Sequence, residues 1–171
     1  MNIFYLHHAA PIAARHHCDK HVGKMLIESC QLLATAHHVH DNGHAVTYKP
    51  THKNHPSAIW TRSSPMHYMW LVNLAVYLGR EFWFRYGKVH ACRQILIDQL
   101  LQPPPALLAM PKTWQPPTLA MPDEFKCDDA VQSYRRFYTS KQDRMPMVWY
   151  RGEQPAPDWF VDYSNARMAE A

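Results

Sequence analysis

Between Pro11 and His38, Cys18, Val22, Met25, Ser29, Leu32, Leu33 and Ala36 recur at steps of three and four residues. That spacing turns one side of an α-helix inward. Pro11 suits a first helical position, and a break is expected near His16. Beside this stripe runs a polar one, His17, His21, Lys24, Glu28 and Gln31, whose steps place five side chains on a single line. Gly23 interrupts the helix or admits a close neighbour.

Asp41-Asn42-Gly43 marks a turn, and the proline-bounded polar run from Tyr48 to Pro56 must be loop. A short helix is predicted over 57–62. Ser64 offers an N-cap with Pro65 behind it, opening a long helix to Tyr86 that Gly87 closes. Leu71, Leu74, Leu78, Phe82 and Arg85 mark its inner side. Another helix covers 90–101 and stops at three prolines. Residues 102–122 hold seven prolines, yet also Leu107, Leu108, Met110, Trp114, Leu119 and Met121, so this stretch should wrap onto the helices. A last helix is predicted over 128–141, with Asp128 and Asp129 favourable at its positive end, and an irregular aromatic tail over about 145–171. The sum is a mostly α, irregular helical single domain of 171 residues with a short N-terminal extended arm and a long Pro-rich loop.

Composition adjusts this picture in three places. The formal charge is +4, from 18 basic and 14 acidic residues, too mild to define a partner, but the chain also carries 13 histidines. Imidazoles titrate near ~6.5, so a bound anion could draw positive charge from them. Cys18, Cys30, Cys92 and Cys127 lie far apart with no CxxC pair, which reads as reduced thiols of a cytoplasmic protein. No apolar run reaches the length of a membrane span, and the first residues lack a secretion signal, so no membrane partner is expected. The composition leaves a homo-oligomer open.

Three groups are candidates for chemistry. On the first long helix, His21 and Glu28 could act as base and charge stabiliser, with His17 and Lys24 holding phosphate. The bland reading is a solvated helix face. In the loop, Lys49, Thr51, His52, Lys53, Asn54 and His55 offer six donors between rigid prolines. On the late helix, Tyr134, Tyr138 and Lys141 share a face beside Arg135, the mixture of rings and cations that base stacking uses, and equally what a helix shows at a core boundary. His17 and His21 have a spacing that can share a metal ion, and His37, His38, His40, Asp41 and His44 cluster, but no HExxH or fixed ligand triad exists. No metal or cofactor is therefore assigned. Walker, GxSxG and GxGxxG patterns are absent, which removes P-loop kinase, elbow-hydrolase and Rossmann readings.

The segment Cys18-Asp19-Lys20-His21-Val22 followed by Thr51-His52-Lys53-Asn54-His55-Pro56 resembles a family of phage proteins of unassigned activity. With the N-terminal arm, the helix ending Glu81-Phe82-Trp83-Phe84-Arg85-Tyr86-Gly87 and the late Trp149-Tyr150-Arg151, the order of elements is also similar to the pyrimidine-dimer DNA glycosylases, small helical enzymes of phages and bacteria. That second resemblance covers about half the chain. It implies an N-terminal α-amine that attacks the sugar C1′, assisted by a glutamate of the first helix. Here His21 stands at the matching helix position and Glu28 lies two turns on, while the bulk of Asn2 argues that Met1 is retained. The expectation is a protein that recognises nucleic acid or a phosphate-bearing nucleotide, with Lys24, Lys53 and Arg135 on phosphates and His21 and Glu28 near the sugar. Two outcomes stay open: N-glycosidic bond chemistry, or binding alone, as in sequestering a nucleotide signal of bacterial defence.

Overall fold

The computed structural model describes residues 1–153 and 155–169. Eight α-helices and no strand are found among them: α1 (Ala10–His16), α2 (Asp19–Val39), α3 (Pro56–Thr61), α4 (Pro65–Tyr86), α5 (Cys92–Ile95), α6 (Pro105–Leu108), α7 (Ala130–Thr139) and α8 (Asp158–Ala169). A π-helical turn, Leu96–Leu100, continues α5. No helix among the described residues is long and apolar enough to cross a membrane.

Helix α4 forms as its ends dictate. The Ser64 side chain accepts the Met66 N–H, Pro65 presets the first turn, and Gly87 closes the helix at φ 62°, a left-handed angle glycine adopts without strain. Its inner residues Leu71, Leu74 and Leu78 pack with α2, which buries Val22, Met25, Leu26, Leu32 and Leu33. The arm completes this core from below, as Ile3, Tyr5 and Leu6 are all buried.

The break between α1 and α2 leaves backbone carbonyls without helical partners. Arg85 satisfies two of them with all five of its N–H groups engaged. Nη1 donates to His17 O at 2.8 Å and Asp19 Oδ1 at 3.2 Å. Nη2 donates to Arg15 O at 3.1 Å and Glu81 Oε2 at 2.9 Å, and Nε to the same Glu81 oxygen at 3.0 Å. Trp149 Nε1 donates to a third carbonyl, His16 O. The other Asp19 oxygen accepts the Arg151 N–H, so this buried hub also ties down the segment leading to α8. Burying a guanidinium is tolerable only when its donors are met in this way.

The Pro-rich strap, 102–122, lies against the helices. Proline carries no N–H, so beyond the short α6 turn the strap makes little backbone pairing of its own, and several of its carbonyls take side-chain donors. Ser64 Oγ donates to Thr113 O, Trp60 Nε1 to Gln115 O, Tyr134 Oη to Thr118 O, and Asn2 Nδ2 to Ala120 O.

Two elements depart from the sequence reading: α6 is a helical turn within the stretch read as a Pro-rich loop, and α8 falls in the tail. The tail expected to be irregular contains α8, opened by Asp158 just past Pro157. Pro157 O accepts the Phe160 N–H at the start of the helix. The parts of that tail at Gln154, Glu170 and Ala171 lie outside the described residues.

Candidate functional site

The polar stripe of α2 is not the open row its spacing suggested. His17 sits at the break before the helix and is fully buried, with Nδ1 donating to Ala13 O at 2.7 Å and Nε2 left without a partner. His21 is buried against Phe4, whose ring stacks on it at 5.6 Å, and its Nδ1 shares a hydrogen bond of 3.0 Å with the Tyr138 hydroxyl. Burial lowers the His17 pKa to about 3 and the His21 pKa to about 4, the latter with help from Lys24, Lys141 and Lys20. Both imidazoles are neutral core groups, which corrects the expectation that His17 contacts ligand and that these rings add charge beside a phosphate.

Tyr134 and Tyr138 are likewise buried, so neither is a stacking platform for a base. Tyr134 holds the strap, and the Tyr138 hydroxyl accepts the Cys18 N–H at 2.9 Å. Arg135 is spent on structure: Nε donates to Leu6 O, and the guanidinium lies 5.1 Å from the Trp159 ring centroid. The cluster from His37 to His44 disperses. His37 lies between Tyr68 and Asn42, while His38 and His40 bond to Tyr48 O and Arg62 O. Among the described residues, no three His, Cys, Asp or Glu side chains come together as a metal site.

What α2 does present is a cationic cavity. Lys20 and Lys24, one turn apart, face Lys141 and Arg144 from the turn after α7, with Phe4, His21 and Met145 completing a space of about 350 Å³. No carboxylate lines it. Lys141 is half-buried, its Nζ 3.5 Å from the Phe137 ring centroid, and burial followed by Arg144 and Lys24 pulls its pKa down. Like charges gathered in a concave site raise the local potential for an anion. Phe4 reaches the cavity wall through a left-handed backbone, φ 50°, which costs of order 1–2 kcal/mol for a non-glycine residue. The Asn2 side chain holds that turn, Oδ1 accepting from the Ile3 and Phe4 amides at 2.8 and 3.0 Å.

One turn beyond Lys24, the arm ends on Glu28. The Glu28 carboxylate accepts the Asn2 N–H at 2.8 Å, and the Met1 ammonium lies 3.8 Å from the same oxygen. Lys24 Nζ stands 3.9 Å from the other oxygen. His55 belongs to this neighbourhood too: its pKa is lowered by burial and by the N-terminal ammonium and His52, against a raising effect from Glu28. Its Nδ1 accepts the Ser57 N–H and so caps α3.

The rest of the loop stays apart. Thr51 is fastened to Thr35 of α2, and Lys53 O accepts from Arg62, but the side chains of Lys49, His52, Lys53 and Asn54 are exposed and none lines the cavity. Of the residues singled out from sequence, the structure therefore groups Lys24, Glu28, His21, His55 and Lys141. Sequence reasoning passed over Lys20, Arg144 and Phe4. The four-residue step from Lys20 to Lys24 and the three-residue step from Lys141 to Arg144 were available signals, but nothing local says that the two pairs face each other.

Comparison with known proteins adds no relative: no known family, curated protein or solved structure matches the chain.

Proposed function

We propose that the groove from Lys20 to Glu28 binds a phosphate-bearing nucleobase ligand, nucleotide or nucleic acid, and breaks its N-glycosidic bond. The observation that carries this reading is the meeting of an α-amine and a carboxylate, Met1 and Glu28, one helical turn from a cavity lined by four cations and no acid. The cations supply phosphate binding. The amine, once Glu28 has taken its proton, is a nucleophile for C1′. Its lone pair forms the new C–N bond as the bond to the base breaks; the base leaves with the bonding pair and takes the proton held by Glu28, and the sugar ring then opens to an iminium, O4′ taking one proton from the nitrogen. Were Met1 removed, the Asn2 amine would take the same place, since its nitrogen already lies 2.8 Å from Glu28. His21, neutral and inside, is a wall of this site and not its base. The resemblance in order of elements to the pyrimidine-dimer glycosylases, over about half the chain, points the same way.

Borohydride reduction of the protein with an oligonucleotide containing an abasic site tests this. A covalent adduct at the N-terminal residue is expected, and Glu28→Gln should remove it while leaving the unfolding temperature in place. A protein that traps no adduct is not this enzyme. Mass spectrometry of small molecules co-purifying with the protein identifies the ligand class.

One observation favours a second reading, in which the ligand is held and no bond is broken. The cavity itself contains no nucleophile other than lysine, and Glu28 is already engaged by the Asn2 amide. In that case the protein sequesters a nucleotide, such as a signal of bacterial defence. A nucleotide recovered intact after long incubation with excess protein would decide for sequestration of that nucleotide.

A further inference from the structure

A second cleft, sharing no residue with the cationic cavity, opens between the second half of α4 and the α5 region. It encloses about 410 Å³. Its floor is apolar, with Leu26 of α2 and Leu96 both buried, and Gly79 leaves the space a side chain would fill. Three independent observations single it out.

The first is where the chain leaves large apolar groups in water. Trp83, Val89 and Ile97 are 60%, 63% and 41% exposed, and all three line this cleft. Scattered apolar residues at a surface are ordinary, but a contiguous set around a concavity marks a binding site. The second is charge. Arg80 of α4 and Arg93 of α5 enter the lining from separate elements, no carboxylate does, and neither arginine has an ion-pair partner among the described residues. Arg80 is braced over the Tyr77 ring at 4.8 Å. The third is the π-helical turn Leu96–Leu100. A π-helical turn is rare and is frequently found at functional sites. Here Leu96 is turned into the floor while Ile97 stays at the surface.

We infer that this cleft is a binding site for a small amphipathic carboxylate, its apolar body on Leu26, Leu96 and Trp83 and its carboxylate between Arg80 and Arg93. Guanidinium groups pair with carboxylates through two parallel N–H bonds. The amides at the start of α5 are spent, with Cys92 N–H on His90 Nδ1 and Arg93 N–H on His90 O. The site is independent of the amine–Glu28 chemistry.

Titration calorimetry with 2-naphthoate, its neutral alcohol 2-naphthalenemethanol, and thymidine 5′-phosphate tests the assignment. Naphthoate is expected to bind one to one, and the neutral analogue at least about 10-fold more weakly. Arg80→Ala with Arg93→Ala should weaken naphthoate by at least about 10-fold, and Gly79→Leu should abolish binding by filling the space. Both arginines are near the surface, so the double variant keeps the test usable should Gly79→Leu fold poorly. Absence of naphthoate binding, equal binding of the alcohol, indifference to loss of both arginines, or displacement of naphthoate by thymidine 5′-phosphate would each overturn the inference.

Discussion

Lys24 Nζ stands 3.9 Å from Glu28 Oε1 while the same side chain lines the cationic cavity, so one residue joins that cavity to the amine–carboxylate pair at the N-terminus. The pair, exposed at its lysine, is worth only a few tenths of a kcal/mol to the fold. Its significance is positional.

Ligand affinity should therefore follow the cavity and not the loop. Lys141→Ala with Arg144→Ala is expected to weaken binding of thymidine 5′-phosphate at least about 10-fold, roughly 1.4 kcal/mol. Lys53→Ala, on an exposed loop outside the cavity, should change it less than about twofold. Calorimetry at fixed salt checks both. The reverse ranking would move the site to the loop.

Stability should fall with acid through the buried imidazoles. His17 and His21 have folded pKa values of about 3 and about 4, below the ordinary value of 6.5. The unfolded chain therefore binds more protons between those limits, and stability rises with pH there. The contribution is complete above about pH 7 and is lost as pH drops toward 4, on the order of 1 kcal/mol per pH unit for each ring. Thermal unfolding from pH 7.5 to 4.5 should show this slope, and His21→Asn should flatten it.

Arg85 gives the largest expected loss. Arg85→Met strands the buried Asp19 and orphans the Arg15 and His17 carbonyls, at a cost of about 3–5 kcal/mol. Denaturant unfolding measures it. Asp19→Asn keeps a hydrogen-bonding oxygen and should cost less.

Two helical glycines should respond in opposite ways. A Cβ at Gly79 meets only Leu26 Cδ2, at 3.8 Å, so Gly79→Ala should stabilise by up to about 1 kcal/mol through helix propensity. A Cβ at Gly23 meets the Phe82 ring at 3.1 Å, so Gly23→Ala must push that ring aside and should not raise the melting temperature.

Helix ends were legible because their causes are local: Ser64, Pro65 and Gly87 bracket α4 on neighbour chemistry alone. The break near His16 was visible for the same reason, and the strap's apolar residues announced that it packs. Burial of the α2 polar stripe was not legible. It depends on Phe4 and Tyr138 arriving from opposite ends of the chain to cover His21, and no window of sequence contains both. The cavity is hidden for a like reason, because Lys20 and Lys24 acquire their meaning only when Lys141 and Arg144 come to face them. Histidine abundance misled most. Four of these residues, His17, His21, His37 and His67, are buried and bond to carbonyl, hydroxyl or amide groups inside the fold, a use that composition does not distinguish from cation supply.

Asn2 grips the strap at Ala120 with its amide nitrogen and the Phe4 turn with its amide oxygen. A protease cut within 102–122 would slacken the first grip and leave the strained Phe4 turn held only from one side. The anion cavity would then sense damage on a segment that never lines it, making the strap's integrity a condition for the wall that Phe4 provides.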